Sequence, residues 1–190
     1  MRFVSRCRPV MGAMALVGML ALAGCAPQPA PPSPSATTAM DAPVFASDAE
    51  ALAAATAAYA AYLQTIDAVL ANGGREVSPL SDVAVGDALS AEVGTAQNYA
   101  EKEYRSVGST TFDSVQIQAI TDDGSGNVLV STYLCSDLSN VDVLEKGGTS
   151  IVPADRVDRF PLQVVFQNSQ VASPGLKISS SVTWTGTNFC

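Results

Sequence analysis

The sequence predicts an α+β domain over residues 47–190, with helices laid on one face of a mostly antiparallel sheet. Two observations carry this. Apolar residues recur at steps of three and four from Ser47 to about Arg105, then at steps of two from Phe112 to Trp184. Glycine-rich breaks separate the period-two segments at the spacing expected of hairpins.

The first helix begins at "SDAE", a capping box in which Ser47 accepts from the first turn and Glu50 reaches back. Leu52, Ala55, Tyr59, Tyr62 or Leu63, Ile66 and Val69 or Leu70 then form one stripe. Asn72, Gly73 and Gly74 supply a left-handed stop. "REVSPLSDVAVG" reads as a loop with one turn of helix. A second helix fits Asp87 to about Arg105, with Leu89, Val93, Ala96, Ala100 and Tyr104 inward and Ser106–Gly108 as punctuation. In "FDSVQIQAI", Val115, Ile117 and Ala119 share a face. "DDGSGN" lacks the lysine and helix of a phosphate-binding loop, so it reads as a hairpin turn leading into "NVLVSTYLC". "NVDVLEKGGTSIV" is a short hairpin about Gly147 and Gly148. "FPLQVVF" aligns Phe160, Leu162, Val164 and Phe166. "LKISSSVTW" sets Leu176, Ile178, Val182 and Trp184 against Lys177, Ser179, Ser181 and Thr183.

The first 24 residues have the layout of an export signal. Arg2, Arg6 and Arg8 precede the apolar run "MGAMALVGMLALAGC", which is too short to span a bilayer comfortably. "LAGC", ending at Cys25, resembles the lipobox of bacterial lipoproteins, which implies a diacylglyceryl group on the Cys25 sulfur and cleavage just before it. An ordinary signal peptide ending near a cysteine is the alternative. Residues 25–46 are rich in Pro, Ala, Ser and Thr and poor in large apolar side chains, the composition of an extended tether. The localisation expected is therefore the extracytoplasmic face of a cell membrane, by lipid anchor.

Loss of the three leader arginines leaves seven basic against 18 acidic side chains, a net charge of −11. Such a domain repels nucleic acid. Of the four cysteines, Cys7 leaves with the signal and Cys25 takes lipid. Cys135 and Cys190 remain in an oxidising compartment, where a disulfide between them is the simplest assignment and two separate thiols the alternative. The chain has no histidine. That removes Ser-His-Asp and Cys-His nucleophilic machinery, histidine-ligated zinc and imidazole base chemistry. No cofactor or metal is expected.

"AAYAAYLQTIDAVLANGG", "YLCSDLSNVDVLEKGG" and "WTGTNFC" resemble segments of actinobacterial secreted lipoproteins of the NTF2-like (cystatin-like cone) fold, over roughly residues 48–190. The resemblance implies a curved sheet wrapped by helices, with a pocket or open concave face. Such domains serve as enzymes, ligand binders and assembly modules, so fold does not decide function. Histidine-dependent members of that fold have no counterpart here.

Three sharper readings have bland alternatives. Asp137 or Asp142 with Tyr133 could act as an isomerase-like carboxylate and phenol, or "SDLSNVD" is a polar turn. Tyr59, Tyr62, Tyr133, Asp137 and Trp184 could line a ligand pocket, with Tyr99 and Tyr104 as further candidates, or these aromatics fill the core. Asp122 and Asp123 could bind calcium, but full ligand spacing is absent. The reading this supports is a non-catalytic interaction or assembly module of the cell envelope that contacts another envelope protein. A small apolar or peptidic ligand held in the cone is the alternative, and an isomerase-like enzyme comes third.

Overall fold

The computed structural model describes residues 44–124, 127–168 and 175–190, all within the compact unit Asp41–Cys190. The leader (1–24), Cys25 and all but the last three residues of the tether (25–46) lie outside the described residues.

Helix α1 spans Asp48–Ala71. The Ser47 hydroxyl accepts the Glu50 N–H at 3.2 Å, and the Glu50 carboxylate accepts the Ala46 N–H at 2.7 Å. The reciprocal bond thus reaches one residue before the cap. At the other end the Gly73 N–H bonds the Leu70 carbonyl and the Gly74 N–H bonds the Val69 carbonyl, a Schellman closure with both glycines at left-handed φ of 71° and 70°. Ala51, Ala55, Tyr59, Tyr62, Leu63 and Val69 are buried, while Leu52 is only half-buried because Ala51 occupies the inward position.

One helical turn, α2 (Leu80–Val83), buries Leu80. Helix α3 spans Gly86–Lys102 and ends at Glu103, which adopts φ 54°. It stops short of the expected Arg105, and its buried positions are Ala88 and Ala96. Leu89 and Val93 are half-buried, Ala100 is exposed, and Tyr104 lies beyond the helix. The reason is close approach. A Cβ on Gly74 would stand 1.9 Å from the Ala96 carbonyl oxygen, so only a small-residue face of α3 fits there.

Ser106 and Val107, expected to be punctuation, form strand β1 (Arg105–Val107) together with Arg105, expected to end the helix. The other strands are β2 (Thr111–Asp122), β3 (Val128–Asp137), β4 (Asp142–Leu144), β5 (Arg159–Asn168) and β6 (Leu176–Thr183). β1 and β4 pair with each other; β2-β3-β5-β6 form an antiparallel sheet in that order. The expected hairpin at Gly147–Gly148 closes through a Gly148 N–H to Glu145 carbonyl bond, but its return arm makes a single bridge, Leu144 to Ser150.

Val130, Leu134, Leu162, Val164, Phe166, Leu176 and Ile178 face α1 and form the core with Ala55, Tyr59, Tyr62 and Leu63. Three register shifts adjust the alternation. One, between Ile117 and Ala119, pairs Ala119 with Ser131 instead of keeping it on the core face with Val115 and Ile117, where the sequence put it. At Ser114, φ is 56° and the ladder slips between Asp113 and Gln116, which lets both Phe112 and Val115 pack on the core. In β6, Phe166 pairs with Ile178 but Val165 pairs with Ser180. The extra residue flips the face of everything after it. Val182, expected inward with Ile178, is 52% exposed opposite Gln163, and Trp184 follows to the same outer side.

The Gly74–Ala96 approach is testable by contrast with Gly124, which has φ 77° and open space around it. Gly124→Ala should cost about 1–2 kcal/mol, the left-handed backbone penalty alone. Gly74→Ala adds a backbone collision and should cost about 3 kcal/mol or more in denaturant unfolding. Equal losses would show that α3 can move away freely.

Candidate functional site

The residues expected to line one pocket fall on opposite faces of the sheet. Tyr59 and Tyr62 project from α1 into the core, 1% and 4% exposed, with ring centroids 5.7 Å apart. Tyr59 also meets Phe112 edge-on at 4.9 Å. Their hydroxyls find polar partners. Tyr59 bonds Ser136, itself buried, and Tyr62 donates to the Glu92 carboxylate at 2.7 Å. Burial pushes both phenols above their ordinary range. Desolvation likewise raises the Glu92 carboxyl, opposed by the Tyr62 bond. An acid and a phenol so poised are proton-transfer groups in principle. Here each is committed to the other, and together they tie α1 to α3.

Glu92 was not singled out from the sequence, although a signal was present. It lies four residues after Ala88 and four before Ala96, on the buried stripe of α3. A stripe counted on Leu89 and Val93 instead passes beside it.

Tyr133 sits in β3 between buried Thr132 and Leu134, so alternation turns it to the outer face. There its ring meets Trp184 at 4.9 Å and Phe189 at 6.0 Å. The expected disulfide joins Cys135 to Cys190 on this face, Cα atoms 5.6 Å apart. Gly186 lies against the Trp184 ring so closely that a Cβ would come within 2.5 Å of it. The segment after β6 therefore folds back over the outer face and is fastened there. Among the clefts of this region, one of about 280 Å³ is lined by Ser114, Gln116, Tyr133 and Phe189.

Arg159 organises the charge beside this cleft. It grips Asp113 through two bonds of 2.8 Å, donates to the Cys190 carbonyl at 3.3 Å, and stands 3.8 Å from Asp137. The guanidinium holds the Asp113 carboxyl down to about 2. Asp137 is lowered first by its bonds from the Ser139 hydroxyl and N–H. Asp142 accepts from the Val143 N–H at 2.7 Å and the Ser150 hydroxyl at 2.6 Å. These carboxylates act as turn formers. Asp122 and Asp123 do the same, accepting from Gly124 and Asn127. Among the described residues no group of three or more acidic or sulfur ligands is placed to hold a metal ion.

Elsewhere, an open groove of about 430 Å³ runs beside α1, lined by Ala60, Leu63, Asp67, Thr110 and Phe112. Asp67 shapes its rim by accepting both the N–H and the hydroxyl of Thr110. Tyr99 and Tyr104 contact each other edge-on at 6.1 Å, apart from either cluster.

No protein-family model matches the sequence, and no curated protein matches it. Two of the solved structures that align with the chain overlap most of its length. The intermembrane space region of chloroplast protein ARC6 aligns at 14% identity and TM-score 0.48, over 68% of this chain and 95% of that one. A periplasmic fragment of TraM aligns at 13% identity and TM-score 0.48, over 73% and 98% respectively. Among the described residues no helix is long and apolar enough to cross a membrane.

Two measurements follow from this geometry. Because the Glu92 carboxyl titrates higher folded than unfolded, its favourable contribution is complete below the unfolded value and is lost as pH rises through the raised one. Glu92→Gln keeps an acceptor for Tyr62 without the charge. Its melting temperature should rise relative to the parent as pH increases above the ordinary carboxylate range; a gap that does not change with pH would contradict the raised carboxyl. Closing 55 residues of chain, the disulfide should contribute about 4 kcal/mol in the chain-entropy model. A Cys135→Ala/Cys190→Ala double variant should lose about that much in urea unfolding, and an unchanged midpoint would remove the bond as a brace.

Proposed function

We propose that this chain is a bacterial lipoprotein of actinobacterial type, held by Cys25 on the extracytoplasmic face of the cell membrane. Its NTF2-like domain serves as a non-catalytic interaction or assembly module of the cell envelope. One observation carries the module reading. The space between helices and sheet is occupied by the domain's own side chains: Tyr59, Val130, Leu134, Val164, Phe166 and Ile178 are each under 2% exposed. Apolar side chains meanwhile stand at the surface, with Val157 69% and Ile151 39% exposed. Their loop is braced, because Arg156 donates to the Leu138 and Val141 carbonyls and pairs with Asp158. A braced loop presenting apolar side chains suits protein contact better than catalysis.

The anchor rests on "LAGC" and the proline-rich segment after it, and a disulfide suits an exported domain. The alternative, an apolar or peptidic ligand, would use an open groove such as the one beside α1, where Phe112 makes an aromatic wall and Asp67 and Thr110 a polar rim.

Mass spectrometry of native membrane fractions should find the Cys25 peptide acylated, and a soluble, unmodified mature protein would overturn the anchor. Crosslinking in intact cells followed by purification should recover one consistent envelope protein. Val157→Glu should weaken that recovery on the order of tenfold. Recovery of the same partner at full yield with the variant would displace the contact from this loop.

A further inference from the structure

We propose that the open edge of β2, with the face of α1 beside it, binds an extended cationic peptide of a partner protein, which adds to the sheet as a further strand. The surface shares no residue with the Val157 loop and does not depend on the lipid anchor.

The two edges of the sheet are unlike each other. Beyond β6 the edge is covered. Ala84 bridges Ile178, the Val85 N–H donates to the Ile178 carbonyl at 2.8 Å, and the Lys177 ammonium donates to the Ser81 carbonyl at 2.7 Å. Beyond β2, among the described residues, no further strand pairs, and no backbone group of Thr111–Asp122 bonds outside the β2–β3 ladder. Alternate N–H and C=O groups of such a strand point outward unpaired. Edges are ordinarily blunted by lysine, by proline or by a covering segment. From Ser114 to Thr121, β2 has no proline and no charged side chain.

Space beside the edge is the second observation. Phe112, Val115 and Ile117 pack on the core yet stay half-buried, and Ile120, opposite buried Val130, is 37% exposed. One cleft of about 430 Å³ lies between α1 and the start of β2; another of about 410 Å³ lies between the residues leading into α1 and the end of β2. Between them α1 carries Ala53, Ala57 and Ala60, all exposed and on one stripe by their spacing, so that stripe offers nothing larger than a methyl group. A strand bonded to β2 turns alternate side chains toward this seam. From Phe112 to Ile120 the edge runs about 27 Å, which engages about nine residues of peptide.

Charge selects the occupant. Asp67 lines the first cleft, and Asp48 and Asp122 line the second, with no lysine or arginine lining either. None of these three carboxylates is in an ion pair among the described residues. A second copy of the chain would bring the same carboxylates to the edge and be repelled. The register shifts after Asp113 and after Ile117 also deter the long, flat pairing of two identical strands. A short peptide follows the bent edge and bonds where the ladder is regular. Basic residues at its ends and β-branched residues between them match the acidic ends and the small apolar seam.

The test uses the full chain and two fluorescein-labelled peptides, KVTVTVTVK and EVTVTVTVE, read by fluorescence anisotropy, with sedimentation velocity on the chain alone. The lysine peptide should bind saturably, and the glutamate peptide more weakly on the order of tenfold. N-methylation of one alternate set of peptide amides should abolish binding and methylation of the other set should spare it, because only every second N–H meets the edge. Ile120→Lys places a charge on the edge and Ala60→Trp fills the seam. Each should weaken binding on the order of tenfold with circular dichroism unchanged, while Val157→Glu leaves it unaltered. Silence of the lysine peptide at millimolar concentration overturns the proposal. So does equal binding by the glutamate peptide, indifference to both methylation patterns or to both seam variants, loss with Val157→Glu, or a dimer of the chain that Ile120→Lys separates.

Discussion

The unbroken register between β3 and β5 divides the domain's chemistry. Val128 to Asp137 pair in sequence with Asn168 to Arg159, without a bulge. Strict alternation then commits Thr132, Leu134 and Ser136 to the helix side and Tyr133, Cys135 and Asp137 to the other. Every feature on either face takes its place from that ladder. Tyr59 finds Ser136 because Ser136 is inward, and Cys190 finds Cys135 because Cys135 is outward. The bulges in β2 and β6 fall on the flanking strands and bend around this rigid centre.

On the inner side, the controlling quantity is the distance between α1 and α3. Gly74 against the Ala96 carbonyl sets it, and Ala88 and Ala96 make the facing surface small enough. Helices this close leave little room for large apolar side chains, so the longer Glu92 reaches across to Tyr62. A buried carboxyl costs desolvation, offset in part by that bond. The pair adds directional contact where apolar packing alone would let the helices slide.

Local chemistry made much of this fold legible beforehand. The Ser47 cap, the Gly73–Gly74 stop and the period of two in "FPLQVVF" are signals confined to a few neighbouring residues, and they appear in the structure. The three-residue strand β1, and its pairing with the hairpin arm β4, were not legible, because a pair so short is held by its partner and carries no periodicity of its own. Bulges were hidden for a related reason. "LKISSSVTW" alternates without fault in sequence, and only the pairing of Val165 and Phe166 reveals the extra serine that turns Val182 outward. A pocket drawn through Tyr59, Tyr62, Tyr133, Asp137 and Trp184 assumed one shared face. The register assigns two of them to one side and three to the other. Phe189 and Arg159 carried no local signal, because their positions depend on a bond between residues 55 apart.

That bond also has a mechanical meaning. An edge strand such as β6 is ordinarily the weakest part of a sheet under tension, since its hydrogen bonds can be broken one at a time by peeling. Here a pull applied at residue 190 is delivered through sulfur to β3, in the interior of the sheet, and bypasses β6 altogether. To yield, several ladders must shear together. The domain would thereby hold its shape under loads that would unzip the same strands left unpinned.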